Sequence, residues 1–220
     1  MTNRVLNRVI GPATTLAVFC AALSCVTLEP NPEVVGTYSD KLSLYNYKEE
    51  GNVLMMVVGV DGARLIRDEP YFPVFVLVAN KSRETLTITR ESFMLEDPLG
   101  RQYSMAPTRD VQEKYYRIDL DRRMFRSNSS ITGTYVGIYT PMSSAFYPSS
   151  ARTSVQINAV TLPPKTYMED VLYYPIPESG LNNVPLRLVF SVKELPEPVP
   201  VVFSVPKTLG VFEKEEEEPS

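Results

Sequence analysis

The chain of 220 residues contains no histidine, two cysteines and 26 acidic residues. Without histidine, the main candidates for chemistry are the cysteines and the carboxylates. Histidine is the commonest general base and a frequent metal ligand. Ser-His-Asp catalysis, Cys-His catalysis and histidine-based zinc sites are therefore excluded. Any enzyme activity would have to rest on carboxylates or on a metal that carboxylates hold. The two cysteines, Cys20 and Cys25, both lie near the N-terminus.

Three acidic pairs are the candidate carboxylate sites. They are Glu96 with Asp97, Asp119 with Asp121, and Glu169 with Asp170. The first pair flanks a turn and lacks the spacing of a calcium loop. The second falls on a predicted helix, where residues two apart point to different faces and would pair with nearby arginines in solvent. The third would need a cleft that brings both acids together. We therefore expect no catalytic residue, no metal site, no cofactor and no enzyme activity.

The N-terminal segment has the three-part layout of a secretory signal peptide. Arg4 and Arg8 precede residues 13–23, which are uncharged and mostly apolar, and the small residue Ser24 follows. A bilayer-spanning helix needs roughly 20 apolar residues, so this stretch is too short for one. We predict a signal peptide over residues 1–24.

Residues 21–25, "AALSC", resemble the lipobox of bacterial lipoproteins, in which a small residue precedes a cysteine that is acylated and becomes the new N-terminus. The bulky Phe19 makes Cys20 a poor competitor. The resemblance implies lipid at Cys25, and Val26 after it implies the outer membrane, facing the periplasm or the cell surface. The alternative is an ordinary signal peptide with Cys25 as a free thiol. In either case the mature chain would hold one cysteine and form no internal disulfide.

The charge balance excludes two classes of partner. The formal charge is −4 at pH 7 and the isoelectric point is about 5.1. A nucleic-acid-binding protein would show a basic patch, so we expect no nucleic-acid partner. Attachment to anionic lipid by charge alone is excluded for the same reason. The membrane contact that we predict is the N-terminal lipid.

Short apolar runs separated by turn residues predict a mainly β fold. The runs are 53–60, 71–80, 84–106, 155–164, 169–177, 184–193 and 199–207. Both alternating faces of 71–80 are apolar, which predicts a central strand covered on both sides. The turn DPLG at 97–100 predicts a hairpin. Helical spacing of apolar residues predicts one helix at about 108–125.

Residues 71–103 and 173–190 resemble the immunoglobulin-like domains found on exported bacterial lipoproteins. In the first stretch an apolar strand ends in Asn80, and an aromatic residue leads into Asp97. The resemblance implies an immunoglobulin-like antiparallel β-sandwich with one inserted helix, but no reaction and no catalytic residue. The expected domains are a signal peptide at 1–24, a membrane-proximal tether at 25–50, the sandwich at 51–207 and a disordered acidic tail at 208–220.

Tyrosine gives the strongest signal for binding. The chain has 13 tyrosines, and the segment 126–154 is rich in tyrosine and serine and low in charge. Tyrosine is enriched at interfaces because it is large and amphipathic. The candidate interaction residues are Tyr135, Tyr139, Phe146 and Tyr147. The alternative for each ring is ordinary packing in the core.

Three functions are compatible with these features. The first is a membrane-anchored, non-enzymatic envelope lipoprotein that acts as a protein-interaction or structural module and binds another envelope protein. The second is a periplasmic carrier or assembly chaperone for an apolar ligand or strand, which a deep apolar pocket lined by Met and aromatic side chains would favour. The third is a carboxylate- or metal-dependent enzyme, which two acids converging in a pocket would favour.

Overall fold

The apolar runs of the sequence form the strands of the fold. The computed structural model describes residues 37–66, 68–127, 134–147 and 157–207, and within these ranges it contains twelve strands. They are β1 (Asp40–Lys41), β2 (Asn46–Glu50), β3 (Leu54–Gly59), β4 (Tyr71–Asn80), β5 (Leu86–Thr89), β6 (Phe93–Glu96), β7 (Gln102–Ser104), β8 (Thr140–Met142), β9 (Ala159–Leu162), β10 (Thr166–Pro175), β11 (Pro185–Phe190) and β12 (Val199–Ser204). The helices are α1 (Thr108–Lys114), α2 (Ile118–Ser127) and the short 3₁₀ turns Ala63–Leu65 and Arg90–Ser92. Residues 134–136 are also helical.

The strands pair into a β-sandwich, as predicted. One sheet has the order β1-β2-β3-β4-β10-β8, the facing sheet has the order β12-β11-β6-β7, and β5 pairs with β9. All pairs are antiparallel except β8 with β10. Side chains from both main sheets share one hydrophobic core. The prediction of a mainly β sandwich with a helical insertion is confirmed.

The strand order has the immunoglobulin-like pattern in most of its positions. The run β12-β11-β6-β7 corresponds to strands G-F-C-C′ of such a sandwich, and β3-β4-β10 corresponds to A-B-E. Strand β8 takes the place of strand D beside E, but it runs parallel to its neighbour rather than antiparallel. Strands β1 and β2 extend the sheet beyond A. The helical insertion lies between C′ and the D position, where the pattern departs from the simple fold.

Strand β4 is central and buried on both faces, which confirms the prediction for 71–80. It lies between β3 and β10. Its even-numbered residues, among them Val74 and Val76, enter the sandwich core. Leu77 and Ala79 enter a second apolar cluster with Met55, Val57 and Val136 on the outer face of the six-stranded sheet. This outer face is covered by α2 and the segment after it rather than by another sheet.

Asp97 builds the hairpin between β6 and β7, as the DPLG signal predicts. Its Oδ1 accepts hydrogen bonds from the backbone N–H groups of Leu99 at 2.9 Å and Arg101 at 3.0 Å. Its Oδ2 accepts one from the Tyr103 hydroxyl at 3.0 Å. Gly100 has φ +76°, which only glycine adopts without strain. The carboxylate is thus a turn residue rather than a ligand for calcium.

The single helix predicted at about 108–125 is wrong, because the helix breaks at Tyr115. This residue has φ −129° and ψ 108°, which is extended rather than helical backbone. The break turns the Tyr115 ring into the core, where it packs 5.0 Å from the Tyr173 ring. Two shorter helices, α1 and α2, result. The break could not be predicted from the sequence, because the helical spacing of apolar residues continues across it.

The predicted tether limit at residue 50 is also wrong, because β1 and β2 belong to the sheet. Tyr47 of β2 is buried beside Phe203, with the ring centroids 6.3 Å apart, and its hydroxyl contacts the backbone carbonyl of Ser204 at 3.2 Å. The domain therefore starts before residue 51. The signal peptide, Cys25 and the acidic tail lie outside the described residues. Among the described residues, no helix is long and apolar enough to cross a bilayer.

We expect Asp97→Ala to lower the free energy of unfolding by about 2–4 kcal/mol, because three donors lose a charged acceptor at a buried turn. Urea denaturation measures this change. The control is Glu113→Ala, which removes an exposed ion pair with Arg109 on α1 and should change the stability by less than about 0.5 kcal/mol. Equal effects of the two substitutions would contradict the assignment of Asp97 as the turn residue.

Candidate functional site

Two of the four predicted interaction residues are core residues. Phe146 and Tyr147 are fully buried. The Tyr147 hydroxyl donates to the backbone carbonyl of Ala106 at 2.6 Å, and the Phe146 N–H donates to Asp170 at 2.7 Å. The prediction that these two rings form a binding surface is wrong. The chain after β8 enters the core, where the Phe146 N–H and the Tyr147 hydroxyl make these hydrogen bonds.

The other two predicted residues lie on the outer side of the six-stranded sheet. Tyr135 keeps 37% of its surface exposed, and the Lys48 ammonium lies 5.4 Å from the centre of its ring. Tyr139 is partly buried against the outer apolar cluster. The four candidates therefore do not form one surface, and Tyr135 alone borders a cleft.

This cleft lies between the outer face of the sheet and α2, and its cavity volume is about 40 Å³. We call it the α2 cleft. Strands β3, β4 and β10 and helix α2 supply its apolar walls, which are formed by Val57, Phe75, Leu77, Val171, Met124 and Phe125. The rings of Phe75 and Phe125 stack with centroids 3.9 Å apart, which holds the helix against the sheet. Its apolar lining with few polar groups is of the kind found in small-molecule sites, although such sites usually have a volume of roughly 300–1,000 Å³.

Asp121 is the most deeply buried polar group of the α2 cleft, with 3% of its surface exposed. Its Oδ2 accepts a hydrogen bond from the Tyr115 hydroxyl at 2.6 Å and a longer one from Tyr173 at 3.4 Å. Its Oδ1 has no hydrogen-bond partner among the described residues. A Cβ placed on Gly62 would lie 3.6 Å from this oxygen and 2.8 Å from Cγ of Pro73. A side chain at position 62 would therefore clash with Pro73, so glycine allows the close packing of this end of the cleft.

Burial raises the pKa of Asp121 from 3.8 to about 6. The Tyr115 hydroxyl and the Arg117 guanidinium lower the pKa and so oppose this effect, whereas Glu69 adds to it. Burial likewise raises the pKa values of Tyr115 and Tyr173 above their usual range, so both hydroxyls stay protonated and donate. At neutral pH the Asp121 carboxylate is therefore mostly ionised, although its Oδ1 is buried and has no hydrogen-bond partner among the described residues.

The prediction that both acids of the pair face solvent is wrong for Asp121, which is buried, although the sequence pattern contains a signal for it. Ile118, Asp121 and Phe125 are spaced i, i+3, i+7 on α2, so they share the face that packs on the sheet. An acid within an apolar stripe indicates a buried polar group. Asp119 lies off this stripe and is exposed.

A second, polar cleft of about 220 Å³ lies where α2 meets β10 and the segment after β8. Glu169 and Asp170 both border it, together with Arg122. The Asp170 carboxylate accepts hydrogen bonds from the N–H groups of Phe146 and Val171 and from the Ser144 hydroxyl, and burial raises its pKa. These donors fix the backbone after β8. No cluster of three or more acids or cysteines that could hold a metal ion occurs in the described part of the chain.

The comparisons with known proteins identify no family. No family description matches the chain, and no curated protein matches it significantly. A crystal structure of ycdA from Bacillus subtilis subsp. subtilis strain 168, provisionally assigned as a lipoprotein, has 10% sequence identity and a TM-score of 0.37. The match covers 71% of this chain and 38% of that chain, which is less than two thirds of its length. Similarity at this level carries no argument about fold or function.

We expect Asp121 to make stability depend on pH. Its pKa is higher in the folded than in the unfolded chain, so the folded state retains a proton that the unfolded state loses as the pH rises from about 4 to 6. The wild type should therefore lose about 2–3 kcal/mol of unfolding free energy relative to Asp121→Asn between pH 4 and 6.5. Urea denaturation at several pH values measures the difference, in which the effect of Asp170 cancels. Parallel stability curves would show that Asp121 titrates normally.

Proposed function

We propose that this chain is a lipid-anchored, non-enzymatic envelope protein whose sandwich domain binds an apolar ligand in the α2 cleft. The observation that carries the proposal is the cleft itself, with apolar walls of aromatic, methionine and aliphatic side chains. Of the functions expected from the sequence, this corresponds to the carrier. Acylation at Cys25 and placement at the outer membrane are supported by the sequence resemblance.

The construction of the cleft supports binding of a ligand. Protein interiors are close-packed, so an apolar space between packed elements is uncommon. The floor consists of side chains on β3, β4 and β10, the central strands of the larger sheet, and is therefore rigid. A site on rigid strands with apolar walls binds without a large ordering cost.

The polar groups of the α2 cleft support binding rather than catalysis. Asp121 is held by two tyrosine hydroxyls, and Asp61 is paired with Arg64 at 2.6 Å. Burial raises the pKa of both tyrosine hydroxyls, so they stay protonated and act as donors to Asp121 rather than as nucleophiles. The two acids therefore suit recognition of a ligand better than transfer of a proton.

A second candidate function is docking of an envelope protein, as the sequence predicts. Two apolar side chains near the cleft-forming segments are strongly exposed: Tyr116, at 91%, between α1 and α2, and Ile138, at 87%, just before β8. Exposed aromatic and aliphatic side chains of this size are typical anchors at protein interfaces. Docking through either side chain is compatible with a carrier that delivers its ligand to a partner.

We expect Cys25→Ser to release the protein from the membrane, because one residue would carry the lipid anchor. The measurement combines fractionation in a diderm bacterial host with the intact mass of the mature chain. The wild type should be in the membrane fraction with the mass of an acylated Cys25, and the variant should not. A bare Cys25 in the wild type would contradict the anchor without affecting the ligand-binding proposal.

We expect Val57→Phe to abolish binding of a simple apolar probe, because the larger ring would occupy the floor of the α2 cleft. NMR titration with 1-hexanol measures this in the folded domain. The matched control is Met55→Phe, on the same strand and the same outer face but outside the cleft lining. Weakening of at least about tenfold for Val57→Phe alone supports the site. Saturable binding that neither substitution changes would place the ligand elsewhere.

A further inference from the structure

The polar cleft, which is bordered by α2, β10 and the segment after β8, is large enough for a small ligand. Its volume is about 220 Å³, whereas the volume of the α2 cleft is about 40 Å³. In liquid water this space holds about seven molecules at roughly 30 Å³ each, so a molecule of fewer than about ten non-hydrogen atoms fits. The two clefts share Phe125 and Val171 in their walls, and the other described lining residues differ.

The polar cleft contains charges of both signs. Its described lining includes one guanidinium group, on Arg122, and two carboxylates, on Glu169 and Asp170. Arg122 is close enough to favour the ionised form of Asp170. The hydrogen bonds of these two side chains within the described chain go to other groups, Arg122 to the Tyr147 carbonyl and Asp170 to its three donors. Opposite charges therefore border one space without a direct bond between Arg122 and Asp170.

Asp170 gives the polar cleft a fixed negative charge. Its carboxylate accepts hydrogen bonds from the Phe146 N–H at 2.7 Å, the Val171 N–H at 2.9 Å and the Ser144 hydroxyl at 3.1 Å. Only 6% of its surface is exposed. A carboxylate with three donors cannot reorient without losing them, so its charge acts on the cleft from one position.

Arg122 gives the polar cleft a positioned group that can bind an anion. Its guanidinium donates to the backbone carbonyl of Tyr147, which holds the half-buried side chain of α2 toward β10 and the segment after β8. A guanidinium has five N–H donors in a planar fork, and the fork matches the two oxygens of a carboxylate. The contact with Tyr147 thus orients the group and leaves further donors for a ligand.

We propose that the polar cleft binds a small zwitterion with an amino acid head group, whose carboxylate accepts from Arg122 and whose ammonium group donates to Glu169. This inference goes beyond the proposed function, because it concerns a different cleft and a different class of ligand. A simple anion would be attracted by Arg122 but repelled by both carboxylates, and a simple cation would meet the reverse. A zwitterion complements both signs. Its apolar side chain would contact Met142 and Phe125.

The experiment is a calorimetric titration of the whole chain, purified in a mild detergent, at neutral pH with three matched probes. They are L-leucine, 4-methylpentanoate, which lacks the ammonium group, and 3-methylbutylammonium, which lacks the carboxylate. We expect L-leucine to bind at least about tenfold more tightly than either analogue, because each analogue loses one charge-assisted hydrogen bond and leaves a charge unmatched.

Two substitutions assign the two ends of the ligand. In Glu169→Gln, L-leucine should bind about tenfold more weakly and lose its advantage over 4-methylpentanoate, whose own affinity should not fall. In Arg122→Gln, L-leucine should lose its advantage over 3-methylbutylammonium. The matched control is Arg123→Gln, which removes an exposed guanidinium from the next position of α2 outside the cleft lining and should change no affinity.

Each outcome decides for or against the zwitterion site. Equal affinities of L-leucine and either analogue in the wild type would overturn the zwitterion preference. Absence of binding by all three probes would overturn the site itself, while the 1-hexanol titration of Val57→Phe tests the proposed function separately. A preference for L-leucine that persists in a folded Glu169→Gln, or that Arg123→Gln also removes, would overturn the assignment to the polar cleft.

Discussion

The double-sided burial of β4 is the constraint on which the rest of the structure depends. Both faces of Tyr71–Asn80 are apolar, so neither can be left in water without losing a large part of the hydrophobic free energy of folding. The inner face is covered by the facing sheet, as in any sandwich. The outer face has no third sheet, and the insertion after β7 supplies helix α2 to cover it. The α2 cleft lies at this contact between the helix and the sheet.

The position of α2 follows from a polar network rather than from apolar packing alone. The break at Tyr115 brings its hydroxyl back to Asp121 on the next helix, and the same carboxylate meets Tyr173 from β10. Tyr115, Asp121 and Tyr173 therefore connect the break between the helices, helix α2 and strand β10 in one buried contact. Such a network fixes one geometry because any displacement leaves a donor or the carboxylate unpaired. Phe125 then stacks on Phe75, and this contact fixes the position of one wall of the cleft.

Much of the fold could be predicted from local patterns, because the alternation along a strand, the residues of a turn and burial on both faces depend on residues close in sequence. The bounds of β4 match the predicted run, and Asp97 forms the predicted turn. The helix break could not be predicted, since the backbone at Tyr115 is set by Tyr173, 58 positions along the chain. The same holds for the candidate site. Asp121 occupies a helical face that the pattern identifies, but only tertiary packing shows that one of its oxygens is free.

The cost of burying Asp121 connects the site to the stability of the insertion. The ionised Asp121 carboxylate destabilises the fold at neutral pH, because desolvation is only partly offset by two tyrosine hydroxyls and by Arg117. This cost arises where α2 meets β10, because Asp121 contacts Tyr173 of that strand. Protonation of Asp121 and the covering of the outer face of β4 are therefore linked, because the same carboxylate titrates and helps to hold α2 on the sheet.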